Sequence, residues 1–541
     1  MTHLQHLRQL ASALLAILLL SQTLPAQQNP PAIEWEKSLG GSDNDGATSI
    51  EQTSDGGYIV AGLSYSNDGD VTGHHGASDK SDYWIVKLTG AGVIQWEKSL
   101  GGSGVDYASS IEQTSDGGYI VAGSSYSTDG DVISHFRAWV ESDYWIVKLT
   151  NAGDIQWEKS LGGSGNDYAA SIEQTSDGGY IVAGWSSSTE GDVTGHHGTH
   201  YKSDYWIVKL TSAGDIQWQK SLGGSDDDAA TSIEQTSDGG YIVAGESASK
   251  DGDVTGRDVF STWIVKLTDA GVIQWNKSLN GQSPKSIQQT NDGGYIVANY
   301  AFSSSGGGND INYQIIKLMS TGLIQWQKSL GGGRADAATS IEQTSDGGYI
   351  VAGLSSSNDG DVTGHHGASD KSDYWIVKLT STGDIQWEKS LGGSGVDYAN
   401  SIVQTSDRGC VVAGWSLSNN GDVTGHHGSS DSSDYWIVKL GPITSDVQPE
   451  PTANLSPLTI LPNPAHTTAM LNIQSPAEAE YTIELISPLG EVLKRQSAQL
   501  GLGEQTVPLT NLESLPAGSY EVIVSGGGKQ VARGRLVLLG E

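Results

Sequence analysis

One stretch of text, Ile94-Gln-Trp-Glu-Lys-Ser-Leu-Gly-Gly102, keeps returning along this chain. Its tryptophan stands at Trp35, Trp96, Trp157, Trp218, Trp275, Trp326 and Trp387, at intervals of 61 residues that shorten to 57 and 51 across the fourth and fifth units. A period of this length means one supersecondary unit built repeatedly, each copy burying its apolar face against its neighbours. Each unit reads as four short strands, in the first copy residues 47–53, 58–63, 82–88 and 94–100. Between the first two lies Ser54-Asp-Gly-Gly57, whose glycines supply the positive φ angles of a tight hairpin. The third strand carries the unbroken apolar run Tyr83-Trp-Ile-Val86, the pattern of a strand covered on both faces.

Four-stranded antiparallel units covered on both faces and repeated radially are the blades of a β-propeller. A linear solenoid would need polar capping units, and no unit here is of that kind. The ends of the array agree. Residues 33–39 form a lone fourth strand, and residues 435–440 a third strand with none after it. Placed side by side they complete a seventh blade and leave no open sheet edge. The hairpin aspartates also number seven: Asp55, Asp116, Asp177, Asp238, Asp292, Asp346 and Asp407. The reading is therefore all-β: a signal peptide at 1–26, a seven-bladed propeller at 27–440, a linker at 441–457 and a small β-sandwich at 458–541. In outline, Lys87-Leu88-Thr89 followed by Gly92 and Trp96 resembles the tryptophan-docked repeats of quinoprotein-dehydrogenase-like propellers, a resemblance that bears on fold.

The formal net charge of −34 opposes binding to nucleic acid or to anionic lipid, both of which need clustered Lys and Arg. Cys410 is alone, so no intrachain disulfide framework forms and stability comes from packing. The first residues carry Arg8, an apolar run over 10–20 and Leu24-Pro-Ala26 before Gln27. This is the layout of a secretory signal peptide, its apolar run short for a membrane span; the alternative is a buried N-terminal helix.

The long loop between second and third strands is the most distinctive polar feature: Asn67-Asp-Gly-Asp-Val-Thr-Gly-His-His-Gly76, with copies carrying His196-His197, His365-His366 and His426-His427. Asp68, Asp70, Asp192, Asp361 and Asp422 are candidate Ca²⁺ ligands, since that ion takes several oxygens in a flexible loop. The histidines offer nitrogens to Zn²⁺ or Cu²⁺, although neighbours in an extended loop are expected to point opposite ways. Against both stands a Gly-Asp turn with solvated histidines, and no cofactor is required. Trp185 and Trp415, just after the Ala-Gly of the second strand, are candidates for stacking on sugar rings; the competing role is packing between blades.

A catalytic constellation is not recognisable. A Ser-His-Asp site or a glycosidase carboxylate pair must be unique, whereas Glu51, Glu112, Glu173, Glu234 and Glu342 are one repeat position, replaced by Gln288 and Val403 in two units. Quinoprotein enzymes use a vicinal disulfide, which one cysteine cannot make. The units that depart from the repeat, around 135–140, 256–260 and 303–310, are where a unique ligand site would sit, and the fourth and fifth are where a cryptic catalytic group would hide, though surface loops also drift freely.

After residue 457 the tryptophans stop and short alternating strands begin. Leu461-Pro462-Asn463-Pro464, then Gly490-Glu-Val-Leu493, then Leu515-Pro-Ala-Gly518-Ser-Tyr520, and a last strand with Arg533 and Arg535 together resemble the type A C-terminal sorting domain of the type IX secretion system of Bacteroidetes. The repeats likewise resemble Trp- and Gly-rich propeller arrays of secreted proteins in that phylum. The resemblance implies export through the periplasm and outer membrane by the type IX machinery, display at the cell surface, and commonly removal of the tail with attachment to lipopolysaccharide. The alternative for the tail is an unrelated Ig-like binding module. The expected function is non-catalytic binding or adhesion to an extracellular polysaccharide or surface protein. A degenerate hydrolase or lyase, and a purely structural spacer, are the alternatives.

Overall fold

The computed structural model describes residues 28–133, 141–199, 201–255, 261–279, 282–302, 311–368, 370–442, 456–475, 479–486, 492–510, 512, 515, 518–526 and 529–538. The candidate signal peptide, the departing loops at 135–140, 256–260 and 303–310, Gly490 and most of the predicted linker lie outside them. The chain divides into two compact units, Met1–Ile443 and Thr444–Glu541.

The first unit contains seven four-stranded antiparallel sheets. Blade 1 spans 45–100, with strands Asp45–Gln52, Tyr58–Ser64, Asp82–Leu88 and Ile94–Leu100. Blades 2 to 6 span 106–161, 167–222, 228–279, 282–330 and 336–391. Blade 7 takes Asp397–Gln404, Cys410–Ser416 and Asp434–Leu440 from one end of the unit and Ile33–Leu39 from the other. The register of that closing strand, Leu39 opposite Tyr435 and Trp35 opposite Lys439, repeats the pairing of Leu100 with Tyr83 and Trp96 with Lys87. First strands begin at Asp45 rather than near Ala47 because the Asp45 carboxylate is itself structural: it accepts the Gly41 amide at 2.8 Å and the Ser66 hydroxyl at 2.9 Å.

At six of the seven junctions a fourth-strand tryptophan packs edge-on to a second-strand tyrosine of the next blade. Trp35 packs edge-on to Tyr58 of blade 1 at 5.6 Å, and its indole N–H donates to the Gly90 carbonyl at 3.1 Å. A Cβ on Gly92, at φ +73°, would fall 2.9 Å from that indole, so the turn must be glycine. Blade 6 differs. Trp387 meets Cys410 where other blades present a tyrosine, and Pro31 closes the gap beside them around a cavity of about 10 Å³. Burial pushes the Cys410 thiol up to about 12, so it packs as a small inert hydrophobe.

Around the axis, the first strands neighbour one another. Their inward edge carries amides with no further strand to pair with, and side chains of the preceding blade satisfy them. The Ile111 amide donates to the Ser49 hydroxyl at 3.3 Å and the Gln113 amide to Glu51 at 2.5 Å. Gln113 in turn accepts the Ser54 amide at 2.7 Å. The same bond from the Ser406 amide to Gln52, 354 residues apart in sequence, closes the ring. This is why the repeated glutamate tolerates Gln288, which accepts the Gln343 amide at 2.6 Å.

The second unit has a five-stranded and a three-stranded sheet. Their facing side chains, among them Leu471, Ile473, Tyr481, Leu485, Tyr520, Val522 and Leu536, form one core. Strand Ser456–Pro457 belongs to the five-stranded sheet, and so does Val492–Leu500, whose polar run from Lys494 to Ser497 hides it from a reading by composition. Asn463 ties the last strand down: its amide nitrogen donates to the Arg535 carbonyl at 2.6 Å and its carbonyl accepts the Val537 amide at 2.8 Å. Tyr520 is buried in the core, and Gly518 pairs with Leu538. The Leu461–Pro464 motif thus holds the terminal strand in register.

Candidate functional site

The calcium aspartates do not converge. Asp68 accepts the Ser42 amide at 2.7 Å. Asp70, Asp192, Asp361 and Asp422 each accept the amide of a glycine that ends a fourth strand, at 3.1–3.3 Å. Each carboxylate therefore caps the loop leading into its own blade. Among the described residues, no group of three or more His, Cys, Asp or Glu is arranged to hold a metal ion.

The adjacent histidines are not splayed apart. His75 Nδ1 lies 2.9 Å and His74 Nδ1 3.7 Å from the same Asp82 carboxylate oxygen, and the other three loops repeat this. The loop is a compact turn, with Gly73 and Gly76 both at φ +76°, so the extended geometry that separates neighbouring side chains does not apply. His75 Nε2 also approaches Asp131 of blade 2 at 3.9 Å, and His427 approaches Asp70 at 3.9 Å across the closure. Burial raises the Asp82 carboxyl, and the His75 amide and imidazole partly offset that. These loops join blades.

The chemistry-bearing surface is the central channel, a cavity of about 280 Å³. Each blade contributes one residue from the fourth position of its first strand: Thr48, Ser109, Ala170, Thr231, Lys285, Thr339 and Asn400. The hydroxyls of Thr48, Thr231 and Thr339 donate to backbone carbonyls of their own and the following blade, which leaves their oxygens as acceptors toward the lumen. Tyr107, Tyr168 and Tyr398, at the second position of their strands, line the cavity on the side that carries the long loops. Burial raises the pKa of all three, so the phenols stay protonated donors.

The two candidate tryptophans sit beside these tyrosines. Trp185 is opposite Tyr168 in the same sheet, with ring centroids 6.0 Å apart and planes at 12°. Trp415 is opposite Tyr398 at 5.5 Å and 7°. Both are half-buried. Each stacks on a tyrosine of its own blade, and Trp415 also borders blade 1, where a Cβ on Gly46 would lie 3.7 Å from its indole. At the same second-strand position other blades carry Leu63, Ser124, Glu246, Tyr300 and Leu354, so aromatic pairs occur in blades 3 and 7, on opposite sides of the mouth. What sequence reasoning missed is the tyrosines: one position in the repeat alternates Gly46, Tyr107, Tyr168, Ala229, Ala337 and Tyr398, and that variability inside a fixed text was the available signal.

The profile of the secretion system C-terminal sorting domain matches residues 459–538. The second unit is a sorting domain of the type IX secretion system. It marks the chain for export to the cell surface or beyond and implies engagement with that secretion machinery. No helix among the described residues is long and apolar enough to cross a membrane. A stretch of 174 residues is 28% identical to the regulatory protein FlaEY of Caulobacter vibrioides, covering 31% of this chain and 18% of that protein. Among solved structures, the Neurospora crassa Pan2 WD40 domain is similar at a TM-score of 0.42 and 9% identity, over 76% of this chain and 97% of that one. PorZ of Porphyromonas gingivalis, a surface component of the type IX secretion system, is similar at 0.29 and 11%, over 90% and 69%. At these scores the propeller assignment rests on the chain's own strand pairing.

Proposed function

We propose that the propeller is a non-catalytic module that binds an extracellular glycan at the mouth of its central channel, and that the sorting domain delivers it outside the cell. The observation that carries this is the pair of flat Tyr–Trp platforms, Tyr168–Trp185 and Tyr398–Trp415, flanking a polar cavity. Aromatic faces suit the apolar C–H faces of pyranose rings. Protonated phenols and threonine oxygens suit the hydroxyls at their edges. A volume of about 280 Å³ falls just under the roughly 300–1,000 Å³ that ligand cavities span, which fits a chain end or a short stretch rather than a broad polymer surface. The test is calorimetric titration of the full chain with a panel of soluble oligosaccharides, repeated with Trp415→Ala. Saturable binding to one sugar class, weakened at least tenfold in the variant, supports the reading. Binding that ignores Trp415 removes it.

A further inference from the structure

Lys285 breaks the channel's pattern. Thr48, Ser109, Ala170, Thr231, Thr339 and Asn400 hold the equivalent position in the other blades, so of the seven Lys285 alone carries charge. It stands in blade 5, two blades from the aromatic pair of blade 3 and two from that of blade 7, and so midway between the platforms on one side of the axis.

Its partners set it apart from the lysines of the repeat. Lys87, Lys148, Lys209, Lys266, Lys317, Lys378 and Lys439 are buried, and each makes an ion pair with its hairpin aspartate at 2.9–3.0 Å. Lys285 is open to the lumen yet walled in by the blades around it, and it makes no ion pair among the described residues. The surrounding walls lower its pKa, against a smaller opposing influence from Glu246 of the neighbouring blade. An ammonium in a walled channel, with Glu246 acting on it only from beyond ion-pair distance, gains when an anion is supplied to it.

We infer that the channel selects an acidic saccharide, the carboxylate of a uronic acid seated on the Lys285 ammonium while its ring lies against the aromatic platforms. This rests on the glycan reading above and narrows it to one ligand class. The platforms account for affinity toward sugar rings of any charge, and Lys285 for the preference among them. A charge-assisted hydrogen bond between ammonium and carboxylate is among the stronger polar contacts. Its loss should cost on the order of 10- to 100-fold in affinity.

The test titrates the full chain with oligogalacturonate and, in parallel, with a neutral oligosaccharide of the same length, for the parent, Lys285→Met and Lys285→Arg. The inference predicts that the parent binds oligogalacturonate at least tenfold more tightly than the neutral sugar. It predicts that Lys285→Met removes that preference while leaving the melting temperature unchanged, and that Lys285→Arg keeps most of it. Equal affinity for both sugars, or a preference that survives Lys285→Met, overturns the acidic specificity and leaves the glycan site standing. Absence of binding to either sugar overturns both. A preference lost in Lys285→Met and not recovered in Lys285→Arg also counts against it, because either cation satisfies a carboxylate.

Discussion

At six of the seven blade junctions a third-strand tyrosine reaches across to the next blade. Tyr83, Tyr144, Tyr205, Tyr313, Tyr374 and Tyr435 donate to the backbone carbonyls of Trp145, Trp206, Trp263, Trp375, Trp436 and Trp84 at 2.8–2.9 Å. The hydroxyl passes over a second-strand glycine. A Cβ on Gly62, Gly123, Gly184, Gly245, Gly353 or Gly414 would lie 2.5–2.8 Å from it. Between blades 4 and 5 both partners change together: Thr262 replaces the tyrosine and Asn299 the glycine, and the Asn299 amide donates to the Thr262 hydroxyl at 3.0 Å. Both are fully buried. Thr262→Tyr alone should drive its hydroxyl into the Asn299 side chain, an overpacking cost of about 1–3 kcal/mol. Asn299→Gly alone strips Thr262 of its donor and leaves a void, again about 1–3 kcal/mol. Together they recreate the pair found at the other six junctions, with the Gln314 carbonyl as acceptor, although Gln314 lacks the indole on which the tyrosine normally packs. The double variant should therefore be more stable than Thr262→Tyr, with a coupling energy of about 2 kcal/mol. Urea unfolding of the four proteins, followed by tryptophan fluorescence, measures it. Additivity within about 0.5 kcal/mol would show that the glycine is not there to admit the tyrosine.

Two further predictions concern the ring as a whole. Deleting residues 33–39 removes the fourth strand of blade 7 and the Glu36 carboxylate that accepts the Trp436 indole N–H at 3.0 Å, so the melting temperature should fall sharply; an unchanged value contradicts closure. Stability should also decline from pH 5 to pH 8. Burial raises Glu51, Glu173 and Glu342 to about 7, and Glu112 and Glu234 to about 8. A raised carboxyl binds its proton more tightly folded than unfolded, so its contribution is present at about pH 5 and is lost as pH rises through 7–8. A tenfold difference in proton affinity between the folded and unfolded chain is worth about 1.4 kcal/mol at most, and five such groups act together. The hairpin aspartates such as Asp55, held at about 2 by Thr53, Gly57 and Lys87, stay ionised in this window and do not alter the sign. Melting temperatures at pH 5, 6.5 and 8 check this; a rise toward pH 8 refutes it.

The blade was legible because three signals agreed in every copy: the hairpin glycines, the apolar third strand and the period itself. In blade 1 the third and fourth strands coincide with the sequence reading to the residue, since Asp82–Leu88 and Ile94–Leu100 are bounded by turn residues. Closure was legible from the orphan strand at residues 33–39. The channel was not. Which strand lies innermost depends on how sheets pack around an axis, and no local pattern in 45–52 records it. The replacement of the repeated glutamate by Val403 marks its position as structural, but its task of capping edge amides on the next blade appears only in three dimensions. Lys285 sits in the unit that departs most from the repeat, where Gln282–Gln289 no longer reads like its counterparts. Trp185 and Trp415 stand out in the sequence as unusual, yet their stacking partners lie in another strand, at a register that no local pattern records.

The central claim is that ligand enters the channel mouth rather than the histidine-bearing loops around it. Hydrogen exchange of the full chain, with and without a bound oligosaccharide, separates the two. The account predicts protection concentrated in peptides covering residues 106–109, 167–170 and 397–400 and those carrying Trp185 and Trp415. Protection confined to residues 67–76 and its copies, with the first strands unchanged, would contradict it.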